Sequence, residues 1–173
     1  EALRRAVHAK LPSSIRFVRA EPVAPDFHAR FSARGKRYAY RLSERPVDPF
    51  SARYRWHLPS PFDPALAEAA LRPLAGRHDF RAFAGKVAEG ENPVKTLSPP
   101  ELIDEGGGDW TLLVAGDGFL YRMVRSIAAT VVRVAAGKLP PERVASLLAE
   151  ARRTPEVHTA PAQGLFLEEV FYP

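Results

Sequence analysis

The stretch Gly116–Pro140, GDGFLYRMVRSIAATVVRVAAGKLP, constrains the fold of this chain more than any other. Two glycines around an acid (Gly116, Asp117, Gly118) open it, and about four turns of helix follow. Gly137, with Pro140 and Pro141 just beyond, supplies the stop. At the helical period, Val124, Ile127, Ala128, Val131, Val134 and Ala135 share one apolar arc. Arg122, Ser126, Ala129 and Arg133 fall opposite, which predicts a solvated basic face. Arg125 lies at the margin beside Tyr121 and Val132, so its guanidinium should leave from a half-buried edge. Such a helix must find a sheet or other helices to cover its apolar arc.

The flanking sequence provides them. Leu3, Val7 and Leu11 repeat at a spacing of four before Pro12, which predicts a helix at the start. Ser14 to Val23 reads as a strand, and Asp26 to Ser32 has no clear period. Lys36 to Leu42 alternates, with Lys36, Tyr38, Tyr40 and Leu42 on one face and Arg37, Ala39 and Arg41 on the other. Arg53 to Leu58 is a further short strand. Asp63 followed by Pro64 marks a helix start, and Gly76 its end. His78 to Phe83 is a compact turn, and Pro93 to Pro99 is extended. Glu101 to Asp104 and Trp110 to Ala115 form a hairpin about Gly106–Gly108. Pro141 to Ala151 is a short helix, and Leu165 to Tyr172 a final strand. Strand pairs interspersed with a few helices predict an α+β fold, a largely antiparallel mixed sheet covered by helices on one face. Residues 1–173 are expected to form a single domain.

Several chemistries drop out. With no cysteine in 173 residues, disulfides, thiolate catalysis and cysteine metal sites are excluded. The five histidines lack metal-site spacing, so no metal is expected. Gly106–Gly108 has neither a Walker lysine nor GxGxxG order, and no GxSxG elbow occurs. No run is apolar enough to cross a membrane and no signal peptide is evident, so a cytoplasmic protein is expected. A net charge of +5, carried far more by arginine than by lysine, points to a polyanionic partner. Tyr38 and Tyr40, flanked by Lys36, Arg37 and Arg41, could stack an unpaired base while the cations hold phosphates. Packing into a core would suit the same two tyrosines.

The combination is more specific than its parts. DFHARFSARGKRYAYRL, GRHDFRAF, the Gly116–Pro140 stretch and TAPAQGLFLEEVFYP occur in that order and resemble the tRNA pseudouridine synthase A family. The resemblance covers essentially the whole chain and implies a partial pseudouridine synthase fold. It further implies a cofactor-free homodimer that isomerises uridines in the anticodon stem-loop of tRNA. In that family an aspartate attacks the uridine, the glycosidic bond breaks, and the base rotates and re-attaches through C5. By motif, Tyr38 matches the tyrosine that stacks on the flipped target base. Arg125 matches the arginine that pairs with the catalytic carboxylate, with Phe119 and Leu120 walling the pocket. Arg30, Lys36, Arg37, His78, Arg122 and Arg133 become candidate RNA contacts.

One element of the pattern is missing. The family's aspartate sits in an R-T-D-A-G-like segment, and none of Asp26, Asp48, Asp63, Asp79, Asp104, Asp109 and Asp117 has that context. The resemblance therefore implies the C-terminal two-thirds of a synthase, inactive alone without its nucleophile-bearing N-terminal part. The alternative is a non-catalytic RNA-binding protein derived from the same family.

Overall fold

The structure is a computed structural model that describes residues 2–46 and 48–173. These residues gather into two compact units, 1–32 and 33–173. In the first, α1 (Ala2–His8) is the only regular element among the described residues. The strand expected over Ser14–Val23 does not form. A strand exists only through a ladder to a neighbour, and this segment has no pairing partner among the described residues.

In the second unit the alternation around Lys36–Leu42 becomes β1 (Gly35–Ser43), the central strand. A seven-stranded sheet is built out from it. β2 (Trp56–His57) pairs with it in parallel, shorter than the Arg53–Leu58 pattern suggests. β3 (Gly76–Asp79) and β4 (Val94–Leu97) pair antiparallel at the far edge. β5 (Glu101–Gly106) and β6 (Asp109–Gly116) form the expected hairpin. β6 runs antiparallel to β1 with Tyr38 opposite Val114, and Tyr40 opposite Leu112. β7 (Leu165–Phe171) runs antiparallel along the other side of β1, with a bulge between Arg37 and Tyr38. All but one of these pairings are antiparallel, so the expected α+β class and mixed, mostly antiparallel sheet are observed.

The sequence pattern placed a turn over His78–Phe83, and the structure instead gives β3 followed by a 3-10 turn, Arg81–Phe83. Four residues are too few to show a period of two. α2 (Pro64–Leu71) starts as expected, with Asp63 accepting from the Ala65 and Leu66 amides. It ends at Leu71, before a 3-10 turn, and Gly76 already belongs to β3.

α3 (Met123–Ala135) stops as expected, where Gly137 adopts φ 67°. Its surroundings differ from the expectation of a solvated basic face. Ser126 and Ala129 are buried along with the apolar arc, so the helix is enclosed on nearly every side. α2, the sheet and the loop before β7 all pack against it. α4 (Glu142–Glu150) buries Val144, Leu147 and Leu148 against the same core. Among the described residues, no helix is long and apolar enough to cross a membrane.

Candidate functional site

The two tyrosines of β1 point to one face of the sheet but have different environments. Tyr40 is fully buried, and its hydroxyl donates to the Pro161 carbonyl at 2.6 Å. Burial pushes this phenol far above its ordinary range, partly opposed by the nearby Arg125 guanidinium. Tyr38 is half-buried, and its hydroxyl has no hydrogen-bond partner among the described residues. Burial also raises the Tyr38 phenol, so at neutral pH it stays protonated, able to donate and accept. Phe119 meets the Tyr38 ring edge-on at 4.9 Å. Leu167 is the cross-strand neighbour of Tyr38 on β7 and is 54% exposed. Tyr38, Phe119 and Leu167 thus form a partly open apolar floor.

Arg125, in the first turn of α3, is half-buried as expected. Its Nε donates to the Ala160 carbonyl at 2.7 Å, and the Ala160 amide donates back to the Arg125 carbonyl at 3.1 Å. This reciprocal pair fastens the HTAPAQG loop to the helix. Among the described residues no carboxylate pairs with the Arg125 guanidinium. The aspartates are occupied elsewhere. Asp48, Asp63, Asp79, Asp104 and Asp117 accept from backbone amides of turns and caps, and Asp109 pairs with Arg45 and Arg55. Asp26 lies in the 1–32 unit. An oriented, half-buried cation without an anion is a place for a carboxylate or phosphate supplied from elsewhere.

Comparisons with known proteins identify the family. Residues 70–173 match the family model described as tRNA pseudouridine synthase. A protein of Syntrophotalea carbinolica named tRNA pseudouridine synthase A is 39% identical over 173 residues, covering 99% of this chain and 68% of that protein. One of the same name from Bacillus licheniformis is 39% identical over 168 residues, covering 96% of this chain and 68% of the relative. This chain belongs to the tRNA pseudouridine synthase family.

Within that family frame, the residues expected from sequence lie at several separate places. Tyr38, Phe119 and Arg125 line the site just described. Leu120 is buried at 3% exposure in the core beneath it, next in sequence to Phe119. Lys36 and Arg37 flank the floor at the start of β1, but Arg37 turns to the outer face and pairs with Glu168 and Glu169. The hydrogen bond that Arg37 donates to Glu168 raises its guanidinium above the ordinary value. His78 bonds the Ala75 carbonyl at 2.8 Å on the far edge strand. Arg133 donates to the Glu156 carbonyl. Arg122 is exposed and adopts a left-handed φ of 62°. Arg30, in the 1–32 unit, holds its guanidinium 5.7 Å from the Phe31 ring.

Sequence reasoning missed Leu167 and Arg153. Leu167 gave no signal because only the register of β7 against Tyr38 brings it to the floor. Arg153 donates to the carbonyls of Ala84 and Val157 and to the hydroxyls of Ser126 and Thr159. Burial, then the neighbouring Arg122, pushes its guanidinium below the ordinary value. One side chain thereby ties the loop before the final strand to α3 and to the segment after β3. Its partners are scattered over 75 positions, from Ala84 to Thr159, so no local motif reports it.

Proposed function

We propose that this chain is the base-binding and arginine-bearing part of an enzyme that isomerises uridine to pseudouridine in the anticodon stem-loop of tRNA. The observation that carries the proposal is Arg125, oriented by Ala160, close to Tyr40 on the strand face that carries Tyr38, and lacking a carboxylate partner among the described residues. The nucleophile is then an aspartate in an R-T-D-A-G-like segment outside these 173 residues, which makes the chain alone inactive. The flipped uracil rests on Tyr38, Phe119 and Leu167. Stacking there offsets the few kcal/mol needed to take a base out of its helix. Arg125 keeps the attacking aspartate ionised and fixes its direction.

In the isomerisation the C1′–N1 bond breaks and a C1′–C5 bond forms. The hydrogen on C5 leaves to solvent, and N1 gains one. No electrons are exchanged with an outside acceptor, so the reaction proceeds without a cofactor. The enzyme works in the cytoplasm as a homodimer, which extends the basic surface along a folded RNA.

The test is tritium release from tRNA carrying 5-tritiated uridine. Release is expected only when the chain carries a preceding R-T-D-A-G-like segment. Release by residues 1–173 alone would place the nucleophile among the seven aspartates and overturn the assignment. Salt-sensitive tRNA binding with no release from either form would favour an RNA-binding protein without chemistry.

A further inference from the structure

Next to Arg125, the loop before α3 carries an exposed aromatic ring that the base-binding floor does not use. Tyr121 is 49% exposed. The Arg122 guanidinium lies 4.9 Å from its ring centroid and the Lys86 ammonium 5.5 Å from it. Neither cation forms an ion pair with a carboxylate among the described residues.

The arrangement is built, not accidental. Lys86 and Tyr121 form an antiparallel bridge, and the Gly85 amide donates to the Tyr121 carbonyl at 2.8 Å. Gly85 leaves room there, since a Cβ would come within 3.1 Å of the Tyr121 ring and 3.2 Å of the Arg122 side chain and would displace them by a few tenths of an ångström. Arg122 holds a left-handed backbone that costs a side-chain-bearing residue on the order of 1–3 kcal/mol. Arg153, partly buried nearby, adds a like charge to Arg122. The fold thus tolerates strain and repulsion to keep an aromatic ring and two cations together at the surface.

An aromatic face amid uncompensated cations matches a nucleotide, whose base stacks while its phosphate takes the charge. We propose that Tyr121, Lys86 and Arg122 form a second nucleotide subsite, which holds an unpaired base neighbouring the target uridine together with its phosphate. This rests on the tRNA-directed reading above and deepens it. The floor at Tyr38 takes the reacting base, whereas Tyr121 positions the strand that presents it. A purely structural role for Tyr121 is disfavoured by its exposure.

The test is binding of an unmodified tRNA transcript to the 173-residue chain and its variants across a salt series, with thermal melting as a control. Tyr121→Ala is expected to weaken binding about tenfold with the salt slope unchanged, and Tyr121→Phe to retain wild-type affinity. Lys86→Gln is expected to lower the slope of log K against log salt by about one. Affinity for heparin, which has charge but no bases, should survive Tyr121→Ala. Wild-type affinity for tRNA in Tyr121→Ala would overturn the subsite and leave the broader reading standing, as would an equal loss for heparin. Failure of the wild-type chain to bind tRNA would remove both.

Discussion

Two arginine clusters in this molecule make opposite use of the same side chain. At the C-terminal side of the core, Arg143 is saturated by acids. Its guanidinium reaches Glu150 and Glu156 at 2.5 Å each, and Thr154 donates to the same Glu156 oxygen. At the start of α3, Arg122 and Arg125 have no acid partner among the described residues, and Arg153 spends its donors on carbonyls and hydroxyls. The first cluster is complete within the chain and ties α4 to the segment behind it. The second is oriented but electrically open. Bare positive charge in an overall basic protein marks where a polyanion belongs more clearly than net charge does, because net charge also counts cations already neutralised.

The comparison can be stressed at the loop between the clusters. Gly164 follows the segment that receives Arg125. A Cβ there would meet the Arg41 carbonyl and two atoms of the buried Tyr40 ring, all at 2.9 Å. Gly164→Ala should therefore cost about 1–3 kcal/mol in urea denaturation. It should also slow tritium release by the synthase that carries it, since the loop carries the Ala160 carbonyl that aims Arg125. Tyr40→Phe, which deletes the hydrogen bond to Pro161, is expected to cost less, about 1 kcal/mol. Gly164→Ala with unchanged stability would show that the loop does not press on Tyr40 as described.

The paired cluster should respond to pH and not to RNA. Hydrogen bonds from Arg143 hold the Glu150 and Glu156 carboxyls below their ordinary range. A carboxyl whose folded value lies below its unfolded one stabilises the fold above the unfolded value, near pH 4.3 or so, and loses that contribution as pH falls through the folded value. The difference in melting temperature between wild type and Arg143→Ala should thus be present at pH 7 and shrink below about pH 4. The tRNA affinity of this variant should stay within about twofold of wild type. A large loss of binding would mean that the closed cluster also faces the RNA.

Much of the fold was legible because its signals are local. The Asp63–Pro64 start, the Gly137 stop and the alternation about Tyr38 and Tyr40 each depend on a few adjacent residues. What was not legible depends on partners far along the chain. Ser14–Val23 has the composition of a strand but no ladder to join. β3 is strand only because β4 lies beside it. The basic face of α3 vanished because Ser126 and Ala129 are covered by elements whose placement a helical wheel does not contain. Within the site, Tyr38, Phe119 and Arg125 came from ordered motifs. Leu167, Tyr121, Lys86 and Arg153 required register, a backbone bridge and a hydrogen-bond network.

The most direct test of the open cluster is the pH–rate profile of tritium release by the synthase carrying both this chain and the aspartate segment, for wild type and Arg125→Gln. If Arg125 holds the attacking carboxylate ionised, its removal raises that carboxylate's pKa. The acid limb of the profile should then move to higher pH by about one unit or more. The maximal rate should fall about 100-fold, with tRNA affinity nearly unchanged. An acid limb that stays in place, with wild-type turnover, would contradict the account.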